Sequence, residues 1–123
     1  MAITRSSARE VAALLADLES GTDVARETAV ARLSVIGTRA VAGLLGLLGS
    51  SAVTAARAGA LEALEAIGDP RAADVALGCL SAEEAAVRNG AAALLGRLLE
   101  STRGAAVLDR LAAIAVDRER PDR

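Results

Sequence analysis

The stretch that decides the fold is Ala55–Leu80, AARAGALEALEAIGDPRAADVALGCL. Apolar residues in its first half recur in steps of three and four, which predicts one face of a helix, because a strand would need strict alternation. These residues are Ala56, Ala60, Leu61, Leu64 and Ile67. Gly68 supplies a residue that turns the chain out of the helix. Asp69 is the natural N-cap of a second helix that starts at Pro70, so the stretch predicts a helical hairpin.

The same signal recurs along the chain with a fixed period. The interval from Arg26 to Arg57 is repeated from Arg57 to Arg88, and Gly37 precedes Gly68 by the same interval. Three apolar sets follow the register: Val30, Leu61 and Ala92; Leu33, Leu64 and Leu95; and Ile36, Ile67 and Leu98. The period falls within the roughly 20–50 residues typical of stacked repeat architectures. The sequence therefore predicts an all-α fold of about 3.5 hairpins, or about seven helices.

The predicted helices alternate with short turns. A cap on Ser6 or Ser7 starts the first helix, and a cap on Thr22 or Asp23 starts the second. The predicted segments run from these caps to Glu19 and to Ile36, and then over Arg39–Leu48, Val53–Ile67, Pro70–Leu80, Ala82–Glu100 and Arg103–Val116. The chain is thereby divided into a lead at residues 1–7, a helical-repeat domain at 8–116 and a charged tail at 117–123, DRERPDR.

The central pattern, A-x-R-x-x-A-x-x-A-L-x-x-I/L-G-D-P-R-A, resembles HEAT repeats, specifically the short bacterial HEAT-like type also seen in phycobilin lyases. It is carried by Ala56, Arg57, Ala60, Ala63, Leu64, Ile67, Gly68, Asp69, Pro70, Arg71 and Ala72. The resemblance covers about residues 8–116 and implies a short right-handed α-solenoid. In that family the helix-start arginine and the turn aspartate form a ladder of polar contacts between successive repeats. All three repeat arginines match, but Thr38 and Glu100 stand at the positions equivalent to Asp69, so an incomplete ladder is implied.

Charge and residue types restrict the possible functions. The chain has 14 basic and 16 acidic residues and a net charge of −2, so no nucleic-acid partner is expected. It contains no His, Phe, Tyr or Trp, one Cys, and only arginine as a basic residue. Zinc sites, Ser-His-Asp and Cys-His machinery and the Walker loop therefore lack their essential side chains. The composition predicts a protein that is not an enzyme and has no metal or cofactor.

Two further features invite a chemical interpretation. Glu62 and Glu65 share one face of a predicted helix, and Glu83 and Glu84 are adjacent at the start of another. Acid–base chemistry is one interpretation, and solvation of a helix face or favourable charge at a helix N-terminus is the favoured one. Cys79 is predicted to be a small buried hydrophobe, because the chain has no His or Lys to activate a thiol. A single unpaired cysteine is typical of a cytoplasmic protein.

The longest uncharged stretch is Ala40–Ala56, AVAGLLGLLGSSAVTAA. It is shorter than the roughly 20 consecutive apolar residues that a membrane-spanning helix needs. Gly-Ser-Ser interrupts this stretch at the point where the repeat register requires a turn. The sequence therefore predicts two helices of the array here and no membrane span.

Apolar residues make up 53% of the chain, and its mean hydropathy is +0.39, which is high for a small soluble helical protein. Part of this apolar surface is expected to remain outside the core. The occupant of that surface is either another protein or a second copy of the chain. Apolar side chains at the two ends of the array are the predicted contacts: Leu14, Leu15 and Leu18 at one end, and Leu108, Leu111 and Ile114 at the other.

The leading hypothesis for function is a non-catalytic protein-interaction module that acts as an adaptor, an assembly factor or a small subunit of a larger complex. In HEAT-like arrays the second helix of each repeat lines the concave surface. Outward positions on those helices are the candidate partner-binding residues: Glu27, Arg32, Glu62, Glu65, Asn89 and Arg97. Simple solvation of the helices is the other interpretation of these residues. The alternative function is an accessory role in cofactor or chromophore attachment, similar to phycobilin lyases, although a tetrapyrrole pocket is hard to build without aromatic residues or His.

Overall fold

The structure, a computed structural model, describes residues 2–100 and 109–115. This part of the chain is helical and contains no strand. The helices are α1 (Ala2–Ser20), α2 (Asp23–Ile36), α3 (Val41–Ser50), α4 (Thr54–Ile67), α5 (Ala73–Cys79) and α6 (Ala85–Glu100). Two 3₁₀ turns, Gly37–Ala40 and Pro70–Ala72, lead into α3 and α5. Residues 109–115 are also helical and fall within the predicted last helix, while the rest of that helix and the charged tail lie outside the described residues.

Four helix starts differ from the sequence prediction. The α3 and α5 helices begin at Val41 and Ala73, a few residues later than predicted, because 3₁₀ turns precede them. The α1 helix begins at Ala2, so Ser6 and Ser7 lie inside it and do not cap it. No Pro or Gly precedes the serines to stop the helix, and local capping preference is too weak to impose a start there. The α6 helix begins at Ala85 and not at the predicted Ala82, because Leu80 and the residues after it form turns. The backbone carbonyl of Glu84 then accepts the first bonds of the helix, from the N–H groups of Val87 and Arg88.

The predicted cap of α2 and the predicted glycine turns after α2 and α4 are confirmed. Thr22 is the N-cap of α2, and its Oγ1 accepts a hydrogen bond from the Ala25 N–H at 3.2 Å. Gly37 ends α2 with φ 78° and ψ −136°, and Gly68 ends α4 with φ 72° and ψ 28°. Positive φ is open to glycine at no steric cost, so each residue turns the chain at the position that the repeat assigns to it.

The turn after α4 makes a polar contact with the preceding hairpin. The buried carboxylate of Asp69 caps the turn by accepting from the Arg71 N–H at 2.9 Å. The Arg71 guanidinium donates to both oxygens of this carboxylate, and its NH2 group also donates to the carbonyl of Thr38 at 3.3 Å. The hydrogen bonds to Asp69 and its negative charge raise the pKa of the Arg71 guanidinium. Arg71 thus joins two successive turns, a role that the sequence did not assign to it.

The core is centred on α4, which packs against α1, α2, α3 and α6. It is built from aliphatic side chains together with Cys79, since the chain has no aromatic residue. The largest fully buried side chains are Leu18, Leu33, Leu44, Leu61, Leu64, Leu94, Leu98, Val41 and Val87. Cys79 is buried as predicted and carries a free thiol. The end-contact prediction is wrong for Leu14 and Leu18, because both are buried within the chain. Leu15, Leu111 and Ile114 are partly buried, and Leu108 lies outside the described residues.

One packing contact occurs twice, one period apart. A Cβ atom placed on Gly59 of α4 would lie 3.4 Å from Cγ2 of Val30 on α2. A Cβ atom placed on Gly90 of α6 would lie 3.2 Å from Cβ of Leu61 on α4. The two glycines are separated by the repeat period, and so are their two partners. The sequence period is therefore matched by a recurring close approach of α4 to α2 and of α6 to α4.

One apolar segment, Asp23–Ser50, is long enough to cross a membrane by length and composition, and an 18-residue window within it has a mean hydropathy of 1.5. In the structure this segment is two helices, α2 and α3, which are separated by Gly37 and a 3₁₀ turn. The α3 helix ends at Ser50, and a short non-helical connection leads to α4. The predicted interruption of the uncharged stretch at its Gly-Ser-Ser sequence is thus confirmed.

Candidate interaction groove

A groove of about 420 Å³ runs between α2 and α4 and is open to solvent. We call it the α2/α4 groove. Its lining residues are Asp23, Arg26, Glu27 and Val30 from α2, and Ala55, Ala58, Gly59 and Glu62 from α4. Two of the predicted partner-binding residues, Glu27 and Glu62, therefore lie in one site, contributed by two helices that are equivalent in the repeat.

The floor of the groove is formed by small residues. Ala55, Ala58 and Gly59 line the groove along about one turn of α4 and leave space that longer side chains would fill. Gly59 also allows the close approach to Val30, which brings the two helices together beneath the groove. The same glycine therefore sets the distance between the helices and keeps the space above it empty.

The rim of the groove is acidic. Three carboxylates and one guanidinium line it. The guanidinium of Arg26 is already engaged, because its Nε donates to the carbonyl of Leu18 at 3.0 Å and its NH1 donates to Asp23 at 3.1 Å. Glu27 and Glu62 are exposed and form no ion pair with any described side chain. They leave a net negative potential over a floor of small apolar residues.

The other predicted partner-binding residues are placed elsewhere. Arg32 pairs with Glu10 of α1 and lines a separate groove of about 310 Å³ between α1 and α2. Arg97 of α6 lies over the end of α4, where its Nε would be 3.5 Å from a Cβ on Gly68. Glu65 is half-buried on α4 and Asn89 is exposed on α6. The structure therefore brings together Glu27 and Glu62 and separates Arg32 from them.

The three repeat arginines make contacts at the starts of their helices. Arg26 holds the end of α1 through the carbonyl of Leu18, and Arg88 donates to the carbonyls of Ala82 and Glu83 just before α6. Arg57 instead approaches Glu84, with 3.6 Å between NH1 and Oε1. The Nε atom of Arg57 is buried without a hydrogen-bond partner among the described residues. These contacts tie the three arginines to neighbouring parts of the chain at the starts of α2, α4 and α6.

Sequence reasoning missed the small residues of the floor and the part played by Asp23 and Arg26. The signal was present as Ala55, Ala58 and Gly59, which are spaced to lie on one helix face. Its meaning depends on which face of α4 is turned toward α2, and periodicity alone does not give that rotation. The charged neighbours could be found only once the two helices were placed together.

The α2/α4 groove is lined by three carboxylates, one guanidinium and small apolar side chains. No group of three potential metal ligands occurs among the described residues. Of the two carboxylate pairs, Glu84 is engaged by Arg57, while Glu62 and Glu65 have different surroundings, one exposed and one half-buried. The groove offers exposed carboxylates for cations and a small-residue floor for apolar contact.

No protein-family model matches the chain, and no curated protein matches it significantly.

Proposed function

We propose that the chain is a short right-handed HEAT-like α-solenoid that binds a segment of another protein and catalyses no reaction. The proposal is supported by the repeat period and by the glycine contact that recurs at the same interval. Repeats that stack in this way present extended surfaces between successive helices, and such surfaces are used for binding. The protein would serve in the cytoplasm as an adaptor, an assembly factor or a small subunit of a larger complex.

The observation that carries the proposal is the unpaired acidic rim of the α2/α4 groove. Glu27 and Glu62 face solvent without an ion pair among the described residues, above a floor made of Ala55, Ala58 and Gly59. A partner segment that carries Arg or Lys beside small apolar residues matches this arrangement in charge and in shape. Positive charge would pair with the rim, while the apolar side chains would pack on the floor.

The expected binding is of moderate strength and depends on salt. An exposed ion pair contributes about 0.2–1 kcal/mol, and the Debye length at physiological ionic strength is about 8 Å. Two such pairs set the orientation of the partner and raise its association rate more than they raise its affinity. The burial of apolar groups against Val30 and the alanines of the floor supplies the remainder.

The test is a charge reversal with a matched control. The double variant Glu27→Arg/Glu62→Arg changes the groove, and Glu19→Arg/Glu100→Arg makes the same change in net charge at exposed positions outside it. Each protein is used as bait in an extract of the native host, and captured proteins are compared by mass spectrometry. We expect a partner that the wild type and the control capture and that the groove variant loses.

The outcome is checked by binding of the purified partner in increasing salt. The wild type should bind more weakly as salt rises, whereas residual binding by the groove variant should not weaken, because salt screens the repulsion between its introduced arginines and the basic partner. Capture of the same partner by the groove variant and the wild type would show that the binding surface lies elsewhere. Unchanged helical circular dichroism in both variants is the control for folding.

A further inference from the structure

The α2/α4 groove is walled by one face of each of two helices. The lining residues of α2, from Asp23 to Val30, and those of α4, from Ala55 to Glu62, both follow the spacing i, i+3, i+4, i+7. This spacing keeps to one helix face over two turns, so each wall is continuous over about 10 Å. The groove is therefore a channel between two helix faces.

The two walls run in the same direction. Gly59 of α4 packs against Val30 of α2. Beyond the ends of both helices, Arg71 donates to the backbone carbonyl of Thr38. Later residues of one hairpin thus meet later residues of the other, as parallel packing requires. The position of each lining residue along the channel can therefore be counted from the contact between Val30 and Gly59.

The two exposed carboxylates that form no ion pair with a described side chain are staggered along the channel. Glu27 lies three residues before Val30, whereas Glu62 lies three residues after Gly59. Together these offsets amount to about six residues, which is a rise of about 9 Å along the helix axes. The carboxylates also belong to opposite walls. An occupant that pairs with both must carry two cations with the same stagger.

The backbone of the occupant receives no hydrogen bonds from the floor of the groove. From Arg26 and Arg57 onward, the backbone N–H groups of α2 and α4 donate within their own helices. The described residues contain no strand whose edge could pair with an extended segment, and the chain has no aromatic side chain on which a polyproline helix could dock. An α-helix makes its backbone hydrogen bonds internally, so it can lie on Ala58 and Gly59 without losing any.

We propose that the partner of the proposed function, on which this inference rests, presents an amphipathic α-helix that lies along the α2/α4 groove. The helix carries two basic residues about six positions apart and a small apolar residue midway between them, as in Arg-x-x-Ala-x-x-Arg. Six positions rise about 9 Å and place the two basic side chains about 120° apart, which is the width of one amphipathic face. The basic side chains pair with Glu27 and Glu62, and the residue between them packs on Gly59.

Peptide binding tests the helix directly. The probe is a fluorescein-labelled peptide of about 16 residues, made of alanine and glutamine around one Arg-x-x-Ala-x-x-Arg unit, a length at which isolated helices begin to form. A second peptide has proline within this unit, and a third keeps the composition but places the two arginines two positions apart. Fluorescence anisotropy measures binding to the full chain. We expect the first peptide to bind at least about tenfold more tightly than either of the others, because proline breaks the helix and the moved arginine leaves its binding face.

Two variants of the full chain test whether the helix lies on the floor. Ala58→Leu fills the groove without changing its charge, and the equivalent positions carry the larger residues Glu27 and Asn89, so the fold accommodates the added bulk. Ala93→Leu makes the same change at an exposed position on α6, outside the groove. We expect Ala58→Leu to weaken binding of the first peptide at least about tenfold, while Ala93→Leu leaves it unchanged. Circular dichroism of both variants is the control for folding.

The results distinguish failure of the helix from failure of the proposed function. Equal binding of the helical and proline peptides, absence of binding by the helical peptide, or unchanged binding by a folded Ala58→Leu variant would each overturn helix docking. The proposed function depends instead on the captured host partner and on its loss from the Glu27→Arg/Glu62→Arg variant. A partner that is lost in that variant, together with equal binding of the two peptides, would keep the basic partner and reject its helical form.

Discussion

The packing of α4 on α2 and the packing of α6 on α4 use the same register and give different surfaces. At the contact of α4 with α2, which we call the first seam, Val30 retains 9% exposure and an acidic groove remains open. At the contact of α6 with α4, the second seam, Leu61 is fully buried and an ion pair joins Arg57 to Glu84. The backbone relationship recurs, so the difference arises from the side chains that occupy equivalent positions.

The groove carboxylates show this most clearly. One period after Asp23, Glu27 and Glu62 the chain carries Thr54, Ala58 and Ala93. The second seam therefore lacks all three acidic groups while it keeps the glycine contact. A repeat fixes how closely its helices approach, and the variable positions beside the contact decide whether a seam is a closed core or an open binding groove.

The largest expected effect on stability concerns the large side chains against which Gly59 and Gly90 pack. Leu61→Ala should lower the free energy of unfolding by about 2–5 kcal/mol, because it leaves a cavity at a fully buried site. Val30→Ala at the equivalent position of the first seam should cost about 1–2 kcal/mol, because fewer methyl groups are lost. Urea denaturation followed by circular dichroism measures both values. Equal losses would mean that the first seam is packed as tightly as the second.

The helix ends give the next largest difference. Gly37 has φ 78° and ψ −136°, a region that other residues avoid, so Gly37→Ala should cost about 2–3 kcal/mol. Gly68 is in the left-handed helical region, and Gly68→Ala should cost about 1–2 kcal/mol. Gly46→Ala inside α3 is the control, with a gain of up to about 1 kcal/mol. Thermal unfolding of the three variants gives the order of their stabilities. A smaller loss of stability for Gly37→Ala than for Gly68→Ala would contradict this prediction.

The contact glycines themselves should respond in opposite directions. A Cβ on Gly90 would lie 3.2 Å from Cβ of Leu61, which cannot move without its helix, so Gly90→Ala should destabilise by about 1 kcal/mol. A Cβ on Gly59 first meets Cδ2 of Leu18 at 3.1 Å, the mobile end of a side chain. Gly59→Ala should therefore be neutral or stabilising by up to about 1 kcal/mol through helix propensity. A stabilised Gly90 variant in urea denaturation would show that the second seam is less rigid than its contacts indicate.

The smallest effect is expected at the ion pair of the second seam. Arg57 and Glu84 are 23% and 40% exposed, so solvent screens their interaction. Glu84→Gln should cost less than about 1 kcal/mol, and the loss should shrink further in high salt. The adjacent Glu83→Gln is the control, and it should have no measurable effect on urea denaturation. A larger loss that does not depend on salt would mean that packing, and not charge, is lost at Glu84.

The sequence alone determined the features that depend on neighbours along the chain. The all-helical class, the period, the Thr22 cap and the turns at Gly37 and Gly68 follow from local backbone preferences and from the spacing of apolar residues. These properties are fixed by a few adjacent residues, so they can be read without knowing where any helix lies in space.

Only the tertiary structure decided which side chains meet. It grouped Glu27 with Glu62, paired Arg32 with Glu10, and used Arg71 to join two turns. It also buried Leu14 and Leu18 of α1, which the sequence had placed at an end, and left Val35 of α2 exposed. Such pairings depend on the rotation and separation of helices that are distant in sequence, and small changes in residue size, such as a glycine at a contact, set both.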